Sequence, residues 1–246
     1  MSGGKEDKCG YKSKQIELEL KMVIDKVLAG IALTAFSPIM LVAAAGIKMS
    51  GKGPVFYKAK RMGKDRKPLT IYKFRTMRVG ADKEGAITSI YDKRVFAWGK
   101  FLRDTKIDEL PQLVNILQGN MSIVGPRPED MDIVNKYYTE EEMRTLSVLP
   151  GLACPGSIYN YTHGDLYLKG DNTEEIYVKE FLHTKLLMDL YYLEHWSLGY
   201  DLHIVLRTLR AIFMSVFSNK RLDYPLEYKK IFETEHGKTN GNKNDK

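Results

Sequence analysis

The strongest pattern along the chain is an uninterrupted apolar run over residues 27–47. Its 21 residues carry no charged side chain, and they are long enough for a helix that crosses a bilayer. Pro38 lies in the middle of the run and removes one backbone hydrogen bond, while Ser37 can satisfy the freed carbonyl. The pattern allows a spanning helix, a buried core helix, or a re-entrant hairpin that enters and leaves by the same face.

Basic residues flank this run on both sides. Lys21 and Lys26 precede it, and Lys48 and Lys52 open a basic stretch that follows it. Because positive charge is retained on the cytoplasmic side, we expect both flanks there. The residues alone favour the re-entrant hairpin only slightly over a span, since proline-kinked spanning helices are common.

After the apolar run, the pattern changes to short strands and then to helices. The segments V-F-Y-K and T-I-Y-K-F alternate around K-D-R-K-P, which predicts a hairpin. Residues 81–91 form a polar connector, expected to be a mobile loop over the site. Helices are predicted over residues 92–102, 130–138, 172–193 and 202–217, with a capping box at Thr139-Glu140-Glu141-Glu142. The last helix is amphipathic, and the pattern fits both packing on the core and lying in the membrane interface.

The stretch from Arg103 to Glu129 holds the candidate chemistry. A helix is indicated there by apolar residues at helical spacing, namely Leu110, Leu113, Val114 and Leu117. Pro111 suits a first helical turn and Gly119 a stop, so the helix begins close to Asp108. At that end the helix dipole should keep the Asp108 carboxylate ionised. Taken alone, Asp108 is most simply a helix N-cap.

The neighbours of Asp108 change that interpretation. Glu109 is a second acid, the cations Arg103 and Lys106 flank the pair, and Arg127 follows between two prolines. Arginine binds phosphate in a bidentate manner, and a rigid backbone reduces the entropy lost in positioning it. Paired acids among such cations indicate metal-assisted phosphoryl chemistry.

Composition narrows the partners and the compartment. The 246 residues carry a net charge of +7 and a pI of about 9.1, which favours nucleic acid, an anionic membrane surface or a phosphorylated substrate. Cys9 and Cys154 match neither a disulfide framework nor a metal spacing, so a reducing compartment is expected, with Cys154 a packing residue. The five histidines are scattered and indicate no zinc site.

Several motifs resemble one family. The run T-K-I-D-E-L-P-Q-L-V-N-I-L-Q-G-N-M-S-I-V-G-P-R-P resembles, almost position for position, the signature of the bacterial sugar transferases. These are the monotopic phosphoglycosyl transferases of polyprenol phosphate. Three earlier segments also resemble the family and occur in its order and at its spacing. They are the apolar run with Ser37-Pro38, I-Y-K-F-R-T-M and D-K-R-V-F-A-W-G-K-F-L-R. The resemblance covers about residues 21–151, with a looser echo beyond.

The resemblance implies an architecture. Ser37 and Pro38 would break a re-entrant membrane helix over residues 21–49, followed by a catalytic domain over residues 50–218. That domain would lie at the cytoplasmic face of a bacterial inner membrane. Residues 1–20 and 219–246 are polar at their outer ends and are expected to be disordered.

The resemblance also implies a reaction. Asp108 would attack the sugar-bearing phosphate of a UDP-sugar and release UMP, and polyprenol (undecaprenyl) phosphate would then displace the sugar phosphate. Glu109 would hold the metal or manage the proton, and the pair would be the Mg²⁺ ligands. The expected phosphate-binding side chains are Lys73, Arg75, Arg103 and Arg127. The sugar and the glycan (capsule, O-antigen, exopolysaccharide or glycoprotein) stay open, and a homodimer is one assembly this allows.

The chain departs from its relatives between Pro150 and Gly170. Many members have a pattern like P-G-I-T-G-x-A-Q-V-x-G-R-N, whereas this chain has P-G-L-A-C-P-G-S-I-Y-N-Y-T-H-G-D and lacks the arginine. Neutral hydrogen-bonding groups and one acid replace it: Asn160, Tyr161, Thr162, His163 and Asp165. We expect this loop to shape the sugar pocket, so the sugar of a better-known member does not transfer.

An alternative from another class is a basic, membrane-anchored module that binds anionic lipid or nucleic acid without catalysis. It explains the net charge and the apolar run. It does not explain two acids in the middle of the basic region, where they would weaken the binding of a polyanion. We therefore expect an enzyme, with no nucleic-acid partner.

Overall fold

The computed structural model describes residues 3–81, 92–167, 173–218 and 222–233. These residues confirm the predicted class, mostly helical with a few short strands. The predicted connector over residues 81–91 lies outside the described residues, apart from Ala81. In chain order the elements are α1 (Gly3–Met49), β1 (Phe56–Met62), a 3₁₀ turn (Lys64–Arg66), β2 (Pro68–Phe74), α2 (Ala97–Asp104), a 3₁₀ turn (Ile107–Glu109), α3 (Gln112–Gln118), β3 (Ser122–Val124), α4 (Met131–Tyr137), a 3₁₀ segment (Glu142–Ser147), β4 (Gly151–Ala153), α5 (Pro155–Tyr167), α6 (Thr173–Ile176), a π-helical turn (Tyr177–Leu182), α7 (His183–Glu194), α8 (Leu198–Phe217), α9 (Leu226–Tyr228) and a π-helical turn (Lys229–Glu233).

Helix α1 continues through Ser37-Pro38 without interruption. The structure thus has one continuous helix that contains a proline, where the prediction was a hairpin broken at this point. The Ser37 hydroxyl donates to the Thr34 carbonyl at 2.8 Å, which is the carbonyl that Pro38 leaves without an N–H partner. This confirms the predicted role of Ser37. Residues 3–20 are helical as well, where the sequence led us to expect disorder.

Both ends of the apolar part of α1 pack on the rest of the protein. Ala29 is fully buried in a cluster with Ile71 of β2 and Leu113 of α3. Ala43 and Ile47 are buried in a second cluster that also includes a residue of β2. Between the two clusters the helix is exposed around Ser37-Pro38. Strand β2 thus contributes to the packing at both ends of the apolar run.

The part of α1 from Ile16 to Met49 is long and apolar enough to cross a membrane. Most of this stretch is exposed, including Ile31, Leu41 and Val42. A core helix would be buried by the protein, so that alternative is excluded.

The β1–β2 hairpin confirms the strand prediction and carries one wall of the site. The strands pair antiparallel from Phe56 opposite Phe74 to Met62 opposite Pro68, with the turn at residues 63–67. Side chains alternate along a strand, so Ile71 and Lys73 of β2 lie on the same side of the hairpin. Ile71 is buried in the core on that side. Beyond β3, the parallel pairing of β3 with β4 joins the two halves of the domain.

Two predictions in the C-terminal half were wrong. Most of the divergent segment from Pro150 to Gly170 is strand β4 and helix α5, and not a loop. The tail after Ser218 was expected to be disordered, but residues 222–233 pack on the domain. There Glu227 of α9 is fully buried and pairs with Arg207 of α8 at 2.7 Å. The capping box was right, since Thr139 and Glu142 exchange hydrogen bonds between backbone and side chain.

Helix α8 has two apolar faces. One face packs inward through buried residues such as Ile204 and Ala211. The other presents an exposed stripe at spacings of three and four, made of Leu202, Leu206, Leu209, Phe213 and Phe217. An ion pair of 2.6 Å between Asp201 and Lys21 ties the start of α8 to α1. The exposed stripe of α8 therefore begins beside α1.

Candidate active site

A tight turn between α2 and α3 positions the two acids. Helix α2 ends at Asp104, and Lys106 reverses the chain in the left-handed conformation, with φ of 59°. Asp108 and Glu109 follow on a 3₁₀ turn, and both are buried. Helix α3 begins at Gln112, four residues after Asp108, whereas the sequence predicted a helix that begins close to Asp108 with Pro111 in its first turn.

One cavity of about 580 Å³ gathers every predicted site residue outside α1. Its lining includes Asp108 and Glu109 together with the four predicted phosphate-binding residues, Lys73, Arg75, Arg103 and Arg127. Across the full lining, eight basic side chains face four acidic ones. The cavity is therefore electropositive and suits an anionic ligand.

Glu109 is held by two cations. Arg127 donates to both of its carboxylate oxygens, at 2.5 and 3.2 Å, and Lys73 lies 3.3 Å from Oε1. Burial alone would raise the pKa of Glu109, but the charges of Arg127 and Lys73 outweigh it and hold that pKa well below its ordinary value. Glu109 is thus ionised, and it fixes Arg127 against β2.

Asp108 has the opposite environment. Its carboxylate accepts no hydrogen bond from the described residues, and its buried Oδ1 atom has no partner among them. Burial, and then the charge of Glu109, raise the pKa of Asp108 above its ordinary value. This direction contradicts the expectation that a helix dipole would favour the ionised form. Asp108 is the uncommitted carboxylate of the pair.

The other predicted phosphate-binding residues differ in how far they are already engaged. Arg103 donates from Nε to the Thr76 hydroxyl at 2.8 Å. Arg75 donates to the backbone carbonyls of Pro54 at 2.7 Å and Gly51 at 3.2 Å, so it braces the chain before β1. Phosphate binding by these two side chains stays a prediction, and the backbone contacts of Arg75 give it a second role.

The turn that carries Arg127 is fixed by close packing of backbone. Gly125 lies so near Gly151 of β4 that a Cβ on Gly151 would sit 2.1 Å from the Gly125 nitrogen. On the other side, the buried Asp189 of α7 accepts from the Gly156 N–H at 2.9 Å. Burial raises the pKa of Asp189 to about 6, although its hydrogen bonds to the Gly156 and Arg127 N–H groups oppose this.

A second buried group lines the same cavity and was missed from the sequence. Glu129 lies 2.5 Å from the ammonium of Lys185 and also accepts from the Tyr177 hydroxyl, which Lys185 contacts in turn. Glu129 follows the Arg127 turn, whereas Tyr177 and Lys185 come 48 and 56 residues later. Only the fold brings them together, and the sequence offered no signal that would pair Glu129 with these two residues.

The divergent segment reaches the cavity, as expected. Gly156 and Asn160 of α5 are part of the lining, and the ring of Tyr161 contacts Lys106. Cys154 is a packing residue as predicted. Its thiol is buried beside Ser157, and burial raises its pKa to about 12.

The acids offer one good ligand for Mg²⁺. This ion is commonly bound by one or two carboxylates together with substrate phosphates. The buried, unpartnered Oδ1 of Asp108 fits such a ligand, whereas both oxygens of Glu109 accept from cations. No cluster of three or more histidine, cysteine or acidic side chains able to hold a metal occurs within the described part of the chain.

Comparison with known proteins decides the family. A family model described as bacterial sugar transferase matches residues 16–215. The chain belongs to the bacterial sugar transferase family. One relative is a UDP-N-acetylgalactosamine-undecaprenyl-phosphate N-acetylgalactosaminephosphotransferase of Aeromonas hydrophila, 36% identical over 78% of this chain and 43% of the relative. A UDP-glucose:undecaprenyl-phosphate glucose-1-phosphate transferase of Escherichia coli is 36% identical over 77% of this chain and 39% of the relative.

Among the family's smaller members, the uncharacterized sugar transferase EpsL of Bacillus subtilis is 35% identical over 80% of this chain and 88% of that protein. By contrast, the chain spans less than half the length of the Aeromonas hydrophila and Escherichia coli transferases. The match begins within α1 and ends within α8, so it includes the exposed apolar helix and the whole cavity. The match confirms the family that the sequence motifs suggested.

Proposed function

We propose that this protein is a phosphoglycosyl transferase that moves a sugar-1-phosphate from a UDP-sugar to undecaprenyl phosphate. The observation that carries the proposal is the division between the two acids. Glu109 is locked by Arg127 and Lys73, whereas Asp108 is buried, accepts no hydrogen bond from the described residues and faces a cation-lined cavity. A poorly solvated, uncommitted carboxylate is suited to act as a nucleophile toward phosphorus. The names of the relatives supply the donor and acceptor classes.

The chemistry proceeds in two displacements. An Asp108 oxygen attacks the sugar-bearing phosphorus, a new O–P bond forms, and the bond from that phosphorus to the bridging oxygen breaks to release UMP. An oxygen of undecaprenyl phosphate then attacks the same phosphorus, and the aspartyl O–P bond breaks. The product is a lipid diphosphate sugar, and Asp108 is regenerated as a carboxylate.

The cavity residues make both attacks electrostatically feasible. A carboxylate and a diphosphate repel each other, so the positive charges of Arg103 and Arg127 are needed where charge accumulates on the transferred group. Mg²⁺ bound at Asp108 and the donor phosphates would neutralise further charge. Glu109 keeps Arg127 and Lys73 in place between the two steps. A pure binding module would gain nothing from burying two acids in its anion site.

The test is release of UMP by the full chain in detergent, with Mg²⁺, undecaprenyl phosphate and a panel of UDP-sugars. We expect UMP from one donor or a narrow group of donors, because α5 differs from the pattern common in the family at the cavity wall. Omitting the lipid should limit UMP to about one equivalent per enzyme, since the covalent intermediate then has no acceptor. The proposal would be contradicted if no donor gave UMP with protein that a thermal unfolding transition shows to be folded.

We further propose that α1 enters and leaves the membrane by the cytoplasmic face of a bacterial inner membrane. The apolar run would place its ends about 30 Å apart, on opposite sides of the bilayer, if it spanned as a straight helix. Yet Ala29 near one end and Ile47 at the other are buried in clusters that both include β2, whereas every residue from Thr34 to Ile39 is exposed. The exposed stripe of α8 would then rest on the same surface.

Single cysteines on either side of the apolar run test this topology. In a Cys9→Ser background, Glu19→Cys and Lys52→Cys place thiols at exposed positions before and after it. A membrane-impermeant maleimide should label both in inverted vesicles and neither in intact spheroplasts. Labelling of one site from each side would show a span instead.

A further inference from the structure

Lys106 occupies a position where a lysine is unusual. It is the residue after the Thr105 C-cap of α2 and is left-handed, with φ of 59° and ψ of 13°. Helices that end in this way usually place glycine there, because a side chain is strained in this conformation. Residues held in such conformations cluster at functional sites, so the side chain of Lys106 calls for a reason.

The side chain of Lys106 lines the active-site cavity without an anionic partner. Among the described residues its ammonium has no carboxylate within ion-pair distance, although Asp108 and Glu109 are close enough to affect it. A partly buried ammonium without an anionic partner gains from an incoming anion.

The other cavity cations are more committed. Lys73 and Arg127 share Glu109, while Arg61 pairs with Asp130 at 2.6 Å and Lys185 pairs with Glu129 at 2.5 Å. Arg75 and Arg103 donate instead to backbone carbonyls and to the Thr76 hydroxyl, so among the described residues the charges of Arg75, Arg103 and Lys106 have no carboxylate partner.

Tyr161 fixes the ammonium of Lys106. The Nζ atom lies 4.1 Å from the centroid of the Tyr161 ring, a cation–π contact that orients the charge without neutralising it. Tyr161 belongs to α5, and Gly156 and Asn160 of the same helix line the cavity. The lysine and the tyrosine thus place a positive charge at the wall that this helix forms.

We propose that Lys106 binds a phosphate oxygen of the diphosphate donor and that Tyr161 positions it for that contact. This inference rests on the proposed function and adds a binding residue and a positioning residue to it. It makes the α5 segment an indirect contributor to phosphate binding as well as part of the pocket wall.

The experiment measures inorganic pyrophosphate binding to the full chain in detergent by calorimetry. Lys106→Gln should weaken binding about tenfold, which corresponds to the loss of one charge-assisted hydrogen bond. Tyr161→Phe keeps the ring and should bind within about twofold of wild type, whereas Tyr161→Leu should fall between Tyr161→Phe and Lys106→Gln. The matched control is Lys100→Gln, at an exposed lysine on α2, which should leave affinity unchanged.

Lys106→Gly separates charge from backbone strain. It should lose pyrophosphate affinity as Lys106→Gln does, yet unfold at a temperature equal to or above that of Lys106→Gln, since glycine suits the left-handed position. Recovery of affinity in Lys106→Gly would assign Lys106 a structural role and overturn the inference. So would an affinity of Lys106→Gln within twofold of the Lys100→Gln control, or no pyrophosphate binding by wild type. Failure of wild type to release UMP while these affinities behave as expected would count only against the proposed function.

Discussion

Replacing Asp108 by asparagine should reduce UMP release at least about a thousandfold, because the amide cannot form the bond to phosphorus. The same change should not lower the stability of the protein. Burial and the Glu109 charge raise the pKa of Asp108, which means that the folded state disfavours the ionised form at neutral pH. A neutral asparagine relieves that penalty. Loss of turnover with an unchanged or higher unfolding temperature is the signature of a residue kept for chemistry.

The matched control is Asp104→Asn, four residues earlier on the exposed end of α2, where the carboxylate pairs with the exposed Lys100. It should turn over within about twofold of wild type, because an exposed ion pair contributes little. Turnover by Asp108→Asn comparable to this control would remove Asp108 from the role of nucleophile.

The same environment predicts a pH effect on activity. Asp108 attacks only when ionised, and its pKa is raised above the ordinary value of 3.8. The acidic limb of kcat/KM should therefore lie above pH 3.8, and Glu109, whose pKa is held low, should contribute no limb in that range. A profile that stays flat down to pH 4 would contradict this.

Replacing Lys185 by methionine should destabilise the protein by about 3–5 kcal/mol, since it leaves the buried carboxylate of Glu129 without its cation. The two side chains are only 7% and 13% exposed and lie 2.5 Å apart. Chemical unfolding in detergent measures the effect. The double variant Glu129→Gln/Lys185→Met should recover part of the loss, because no unpaired charge is then buried.

Lys179→Met is the matched control for this change, six residues earlier. Lys179 pairs with Glu175 at 2.6 Å, but both side chains are more than half exposed, so the change should stay within about 0.5 kcal/mol. A loss below about 1 kcal/mol in Lys185→Met would show that the buried pair does not stabilise the fold.

The direction in which the stability changes with pH follows from the pKa of Glu129. Burial opposes ionisation, but Lys185 and the hydrogen bonds lower the pKa of Glu129 from 4.5 to about 2. Its contribution to stability is thus present above pH 4.5 and is lost as the pH falls through 2. The difference in unfolding free energy between wild type and Lys185→Met should narrow over that interval.

Local features of the site were predictable from the sequence. Arg103, Asp108, Glu109 and Arg127 lie within 25 residues, and the proline and glycine punctuation limits how far apart the fold can place them. The Ser37 contact and the Thr139 capping box are likewise rules that act over three or four residues. Patterns of this range leave a direct trace in the order of the residues.

The rest depends on tertiary contacts. In the sequence, Asp108 and Glu109 are two similar neighbouring acids. In the fold, Arg127 and Lys73 come from two other segments and both pair with Glu109, which leaves Asp108 without such a partner. Helix α5 contains Gly156 and Gly164 among aromatic residues, which lowered its helical signal, although Pro155 occupies a first-turn position that suits proline. The tail residues 222–233 are too short and too polar to indicate that Glu227 is buried.

The packing of α1 has a consequence for biogenesis. Ala29, Ala43 and Ile47 complete two of the clusters on which the β1–β2 hairpin and α2 and α3 rest. Helix α1 is thus a structural element of the domain that holds the cavity, and its removal would leave the apolar residues of both clusters uncovered. Because both clusters include residues of α1, we expect the cavity walls to pack stably only once that helix is in place, and a chain without α1 to be less stable than the full chain.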